Sequence, residues 1–251
     1  MPYRRGRPLI DSSLPFRVAA LITFCIVWPI AQVINLVMFS TSYENRGKLR
    51  GIRRAILVSN HTTFLDPVKM GGVMIPRRAW HTLLEKTVEA PVVGTLTRLL
   101  GGVPLPPGSS GLKRILEASE SLFRSRRFLH FYPEGECYLY NQEIREFKPG
   151  AFFIAAELNI PIIPLVTVFS GGRFKPRSFW GRCLPREKLV VLDPVYPCEH
   201  VRRNEKGELE ADSVRQFAQT VRLLMQDEIN VRRGCHAFFR GRMGRIGGIN
   251  G

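Results

Sequence analysis

No two cysteines of this chain stand in a CxxC arrangement. The five present, Cys25, Cys137, Cys183, Cys198 and Cys235, are odd in number and widely spread. That fits neither a disulfide framework nor a zinc site and points to a reducing compartment. Cys198 with His200 and Cys235 with His236 come nearest to ligand spacing, but no second pair completes a tetrahedral set, so no metal is expected. Acidic residues are scarce: 21 Asp and Glu against 37 Lys and Arg leave a formal net charge of +16. The excess favours anionic partners, namely an anionic membrane face, an acidic carrier protein or nucleic acid. The sequence also lacks an internal repeat, a recognisable nucleic-acid module, and a serine or cysteine in a nucleophile-elbow pattern. Nucleic acid is therefore not an expected partner, although the tail "RRGCHAFFRGRMGR" is basic and aromatic.

What is present belongs to a folded protein. The chain has 251 residues, 45% hydrophobic and 23% charged, ample for a substantial core. Residues 18–39 carry no charge, a run long enough to cross a bilayer. Pro29 in its middle predicts a kink or a break into two helices, and Gln32 and Asn35 make its second half more polar. Arg4, Arg5, Arg7 and Arg17 precede the run; Arg46, Lys48, Arg50, Arg53 and Arg54 follow it. A spanning helix carries positive charge mainly on its cytoplasmic side. Two basic flanks instead predict a kinked helix or helical pair dipping into one leaflet, both ends on the anionic cytoplasmic face of the cell membrane. A buried core helix would show an apolar stripe of helical period, and none is clear. The following "STSYENRGK" offers no small-residue signal-cleavage site.

From residue 53 short apolar runs alternate with helical patterns, the signature of an α/β domain. Strands are predicted at Ala55–Ser59, Phe128–Tyr132, "IPIIPLVTVF" and Lys188–Leu192. Helices are predicted from Pro91 to Gly101, and from a cap at Ser109 or Ser110 with Leu112, Ile115, Leu116, Leu122 and Phe123 on one face. Two more are predicted, over Pro149–Leu158 and from a cap at Asp212 or Ser213 with Val214, Phe217, Val221 and Leu224 inward. The organisation expected is a membrane-associated segment over 1–45, a catalytic-type domain over 46–231 and a basic tail over 232–251.

Two stretches carry chemistry. In "NHTTFLDP" an apolar strand runs into His61, with Asp66 five positions on and then Pro67. If His61 lies in the loop and Asp66 begins the next helix, both stand exposed at a cleft, and the carboxylate can hold one ring nitrogen and leave the other as a base. An aspartate that merely caps the helix meets the same spacing. In "LHFYPEGE" a second strand ends in Pro133, Glu134 and Gly135, followed by Arg145 and Lys148 just before a helix start, where an anion is favoured.

Together "NHTTFLD" and "FYPEGE" resemble the first and third blocks of the glycerolipid acyltransferases, the family of lysophosphatidic acid (1-acylglycerol-3-phosphate) acyltransferases. "EKTVEAPVVGTLTRLLGGVPLPP" is similar to the second-block region, "FKPGAF" to the segment after the third, and "IPIIPLVTV" to the fourth. The resemblance implies a mixed sheet flanked by helices with an N-terminal membrane-associated helical motif. It implies His61 as general base toward an acceptor hydroxyl and Asp66 as its orienting partner. The acyl donor would be a thioester of coenzyme A or of an acidic acyl carrier protein, with no further cofactor and no acyl-enzyme. Asn60, Glu134, Gly135, Glu136, Arg145 and Lys148 are the expected substrate-binding residues. The family's third block continues from glutamate and glycine to a small hydroxylated residue and arginine, and its second block ends in arginine. Here Glu136 and Cys137 stand in the third and "PLPPG" ends the second. The acceptor is thus expected to depend less on a phosphate group.

Overall fold

A computed structural model describes residues 8–106, 108–171 and 185–243. Arg4, Arg5, Arg7, Pro107, Cys183 and the tail beyond 243 lie outside the described residues. The uninterrupted apolar runs of the sequence become the middle of a sheet, because strands covered on both faces need no polar side. Strand β2 (Ala55–Ser59) lies between β5 (Phe128–Phe131) and β6 (Ile162–Ser170) and is buried along its whole length. The sheet is completed by β1 (Ser42–Glu44), β3 (Ala79–Leu84), β4 (Gly102–Leu105) and β7 (Arg186–Val191), in the order β1-β7-β6-β2-β5-β3-β4. Among the strand pairs of the described residues, β6–β7 is antiparallel and the others are parallel. The sheet is mixed, as expected. β1, β3 and β4 escape a reading by apolar runs: β1 has three residues, β3 mixes His81 and Thr82 with apolar neighbours, and β4 holds Pro104, tolerable because it is an edge strand.

Alternation along β2 feeds two cores. Ile56 and Val58 join Leu129, Phe131 and Val166 beneath α5 (Ser109–Glu117), α6 (Ser119–Ser125), α7 (Gly150–Leu158) and α8 (Ala211–Val231). Ala55 and Leu57 join Phe128, Ile163 and Leu165 against α2 (Asp66–Met74). Helices α3 (Glu85–Glu89) and α4 (Val93–Leu99) lie between β3 and β4.

Several boundaries differ from expectation. The long helix expected from Ser109 is two helices meeting at Ala118, which keep one inward face of Ile115, Leu122 and Phe123. The last helix starts at Ala211, not after a cap at Asp212 or Ser213; the Ser213 hydroxyl donates back to the Glu210 carbonyl. On α8 Met225 faces inward and Leu224 is 42% exposed, because residue 225 completes the i+4 step from Val221.

The N-terminal run forms α1 (Leu14–Phe39), 26 residues unbroken across Pro29. Of the two outcomes expected at Pro29, a kink or a break, the break does not occur. A stripe also emerges that the hydropathy pattern hides. Ala20, Ala31, Asn35 and Phe39 are buried and Phe16, Phe24 and Trp28 half-buried, spaced three or four apart along one face. This stripe packs on α2 and α4. Arg98 and Arg78 lie over the rings of Phe16 and Phe24, and the Gln32 amide donates to the Val68 carbonyl at 3.0 Å. The remaining circumference is exposed and apolar, including Leu21, Ile22, Ile26, Ile30, Val33, Leu36 and Val37. A buried core helix is excluded by that exposure.

Candidate active site

Because β2 and β5 are parallel neighbours, with Val58 paired to Phe131, the loops leaving them emerge side by side. Carboxyl ends of parallel strands are where α/β sheets build their sites. "NHTTFLD" and "FYPEGE" thereby meet across roughly 75 residues of sequence. The two loops are stitched together: the Tyr138 amide donates to the His61 carbonyl and the Tyr140 amide to the Thr62 carbonyl, at 3.0 and 2.9 Å.

His61 Nδ1 lies 2.8 Å from Asp66 Oδ2. The same oxygen accepts the amides of Thr62 and Thr63 at 2.7 and 2.9 Å, while Oδ1 accepts the Thr63 hydroxyl at 2.6 Å. Asp66 is thus the first residue of α2, and its carboxylate turns back to hold the loop instead of capping the helix. It is not exposed at the cleft as expected; its exposure is 0%. Burial by itself would raise its pKa, but the charge of Lys69, the hydrogen bond and charge of His61 and the Thr63 hydroxyl together hold it below the ordinary carboxylate value. An ionised carboxylate only accepts, so Nδ1 carries the proton and Nε2 the lone pair. The His61 side chain is 20% exposed, and among the described residues no hydrogen bond occupies Nε2. Tyr132 stacks on the imidazole with centroids 4.0 Å apart.

The other expected residues divide into two groups. Asn60 is buried and exchanges two hydrogen bonds with the main chain of Thr167, at 2.8 and 3.1 Å, extending the β2–β6 pairing by one side chain. Glu134 is also buried; its oxygens accept the amides of His61 at 2.9 Å and Arg145 at 3.1 Å. Burial raises its pKa to about 7 against those hydrogen bonds. Both side chains face the protein and fix the loops. Gly135 (φ +73°), Glu136, Arg145 and Lys148 are on the solvent side. The positive φ of Gly135 strains any side chain placed there, and a methyl built on it would stand 2.6 Å from the Lys148 ammonium. The Arg145 guanidinium lies 4.9 Å from the Tyr138 ring centroid.

Sequence reasoning missed the tail's return. The Leu139 amide donates to the Gly241 carbonyl, Arg240 to Leu139, and Met243 to Cys137, at 2.9–3.0 Å. Residues 239–243 therefore lie beside the loop that itself pairs with His61 and Thr62, and Arg242 reaches Glu136 at 3.2 Å. Lys69, buried beneath Asp66, was missed as well; its only signal is a lysine three residues after the aspartate on a helix otherwise apolar at that point. Among the described residues no group of three or more His, Cys, Asp or Glu side chains is placed to hold a metal.

A family model described as Acyltransferase matches residues 40–168, a little over half the chain. The human 1-acyl-sn-glycerol-3-phosphate acyltransferase beta is 31% identical over 124 residues, 47% of this chain and 43% of that one. A chloroplastic 1-acyl-sn-glycerol-3-phosphate acyltransferase of Brassica napus is 29% identical, over 56% of this chain and 40% of its own. The alpha form from Bos taurus is 30% identical over 66% and 57%. The chain thus spans about half the length of the curated relatives it matches. The crystal structure of the 1-acyl-sn-glycerophosphate acyltransferase of Thermotoga maritima superposes with a TM-score of 0.55 at 18% identity, covering 88% of this chain and 81% of that one, which shows a shared fold.

Proposed function

The chain belongs to the acyltransferase family, and from that premise we propose that it moves a fatty acyl chain from a thioester to the hydroxyl of a lysolipid at a membrane surface. The observation that carries the reading is the His61–Asp66 pair, hydrogen-bonded at 2.8 Å on a side chain that is partly exposed. Nε2 takes the acceptor's hydroxyl proton as that oxygen attacks the thioester carbonyl, and Asp66 stabilises the imidazolium that forms. Collapse of the tetrahedral intermediate breaks the carbon–sulfur bond. The proton then passes to the departing thiolate, giving an ester, a free thiol and neutral His61. The donor is acyl-coenzyme A or an acyl carrier protein, both anionic and suited to the chain's basic surface.

The likeness to 1-acyl-sn-glycerol-3-phosphate acyltransferases supports a 1-acylglycerol-3-phosphate-like acceptor in phospholipid synthesis. Dependence on the phosphate is weaker in this chain. Cys137 is buried, Glu136 stands beside it, and the nearby cations Arg145, Lys148 and Arg242 are exposed side chains, not a sealed anion pocket.

Helix α1 supports a dip into one leaflet, with both ends at the cytoplasmic face of an anionic membrane. Its stripe is docked from Phe16 to Phe39, so crossing the bilayer would drag Arg78, Arg98 and the helices beneath into hydrocarbon. Lying along the interface buries only the exposed apolar face. The test is mass spectrometry of products from a panel of lysolipids offered with both donor types. Acylated lysolipid is expected; absence of any acylated product across the panel contradicts the reading.

A further inference from the structure

Lys69 and Glu187 form an ion pair with no exposure at either side chain, Nζ to Oε1 2.5 Å. Taking two charges out of water costs several kcal/mol for each, and an apolar pair of the same volume commonly serves stability as well or better. Volume alone does not explain Lys69 on a helix that fills its neighbouring positions with Met70, Val73 and Met74, nor its partner Glu187 on β7.

The surroundings supply an explanation. The Lys69 ammonium donates to the Thr63 hydroxyl at 2.7 Å, and that hydroxyl donates to Asp66 Oδ1 at 2.6 Å; Nζ itself is 3.5 Å from the same oxygen. Two carboxylates thus share one ammonium. Its remaining side is closed by the Phe39 ring, 4.5 Å away. The far oxygen of Glu187 accepts the Thr41 hydroxyl at 3.1 Å. The chain of contacts runs His61–Asp66–Thr63–Lys69–Glu187–Thr41, from the partly exposed imidazole to the residues just after α1.

We propose that Lys69 and Glu187 are positioning residues for the His61–Asp66 pair: Lys69 keeps Asp66 an oriented anion through Thr63, and Glu187 sets how much of that positive charge Asp66 feels. The proposal rests on His61 and Asp66 as the reacting pair. Other titratable groups face the pair and its network: Tyr43 from β1, His130 from β5, and Tyr132, Glu134, Cys137 and Tyr140 from the loop after β5. Burial raises the pKa of each except His130, whose pKa it lowers. Tyr43, His130, Tyr132, Cys137 and Tyr140 therefore stay uncharged at neutral pH, and Glu134 is unchanged in the variants below.

Glu187→Gln retains a hydrogen-bond acceptor for Lys69 and Thr41 and removes one negative charge. Lys69 then acts more fully on Asp66, and the imidazole holds its proton less tightly. Lys69→Met/Glu187→Gln removes the cation nearer to Asp66 along with the anion beyond it, so the imidazole holds its proton more tightly. The experiment is an NMR titration of the ¹⁵N-labelled His61 ring in the full detergent-solubilised chain, assigned by its loss in His61→Ala. The midpoint is expected to fall in Glu187→Gln and to rise in the double variant, by about one pH unit in each direction. In parallel, kcat of the double variant should fall at least about tenfold with KM little changed. Midpoints that coincide with wild type, or move the same way, in folded variants overturn the proposal. Should the double variant not fold, Glu187→Gln alone decides, by a lowered or an unmoved midpoint. The titration needs no substrate, so a wild-type chain without acyl transfer would defeat the functional reading while leaving this test standing.

Discussion

The two sides of His61 are built in opposite ways. Beneath it, Asp66, Thr63, Lys69 and Glu187 form a sealed network in which each polar atom meets another at 2.5–3.5 Å. Beside it, Glu136, Arg145, Lys148 and Arg242 stand partly or wholly in solvent, and the Arg242–Glu136 pair has side chains 64% and 23% exposed. Breaking a buried pair costs about 3–5 kcal/mol, whereas an exposed one is worth about 0–1 kcal/mol. Substitution on the buried side therefore strikes both fold and chemistry. On the exposed side, charges change one at a time at small cost.

Asp66→Ala should give the largest effect on either side. It leaves the Thr62 and Thr63 amides, the Thr63 hydroxyl and His61 Nδ1 without their acceptor, so stability should drop by about 3 kcal/mol or more in urea unfolding, together with loss of nearly all transfer. A variant as stable as wild type would show that the network is not the support described.

Deleting residues 1–40 removes the exposed apolar face of α1 and the Phe39 ring over Lys69. Most of the protein should then leave the membrane in an alkaline wash, while the full chain stays through both salt and alkali, because screening releases charge but not inserted apolar surface. Release of the full chain by salt alone would reduce the attachment to its basic flanks.

A mid-sized effect tests the wall between the two sides. Burial raises the Glu134 pKa to about 7 from an ordinary 4.5, so the folded state binds this proton more tightly than the unfolded one. Its contribution to stability is present at low pH and declines as pH rises from about 4.5 through 7, by at most about 1.4 kcal/mol per pH unit. Glu134→Gln should flatten that part of the stability profile. An unchanged slope would mean that another group carries it. Asp66 has the opposite sign: its depressed pKa gives stability that is present above about 4 and lost on further acidification.

The smallest effect belongs to the exposed ions. Glu136→Arg should move acceptor preference toward lysophosphatidic acid over a zwitterionic lysolipid by about threefold to tenfold, and Arg242→Ala the other way, in competition assays with little change in stability. A wild-type enzyme that strongly prefers lysophosphatidic acid and loses the preference in Lys148→Ala would instead put the anion site on Lys148.

The sequence reveals these regions unequally, for physical reasons. The central strands read directly because strands buried on both faces must be continuously apolar. His61 and Asp66 read because a loop between strand and helix fixes their order. The inward roles of Asn60 and Glu134 do not, since a side chain that bonds main chain looks in sequence like one that faces a ligand. The docked stripe of α1 is masked because both faces of the helix are apolar. Glu187 and Arg242 are invisible because their partners are distant in the chain, brought together by the sheet order and by the return of the tail, and Lys69 shows only its spacing from Asp66.

The central claim is that His61 carries the reaction on a scaffold that does not need its ring. Turnover of an acyl thioester with a lysolipid acceptor, compared between wild type and purified His61→Ala of matched unfolding midpoint, tests it most directly. A rate lower by about a hundredfold to ten-thousandfold is predicted; wild-type turnover in the folded variant would contradict the account.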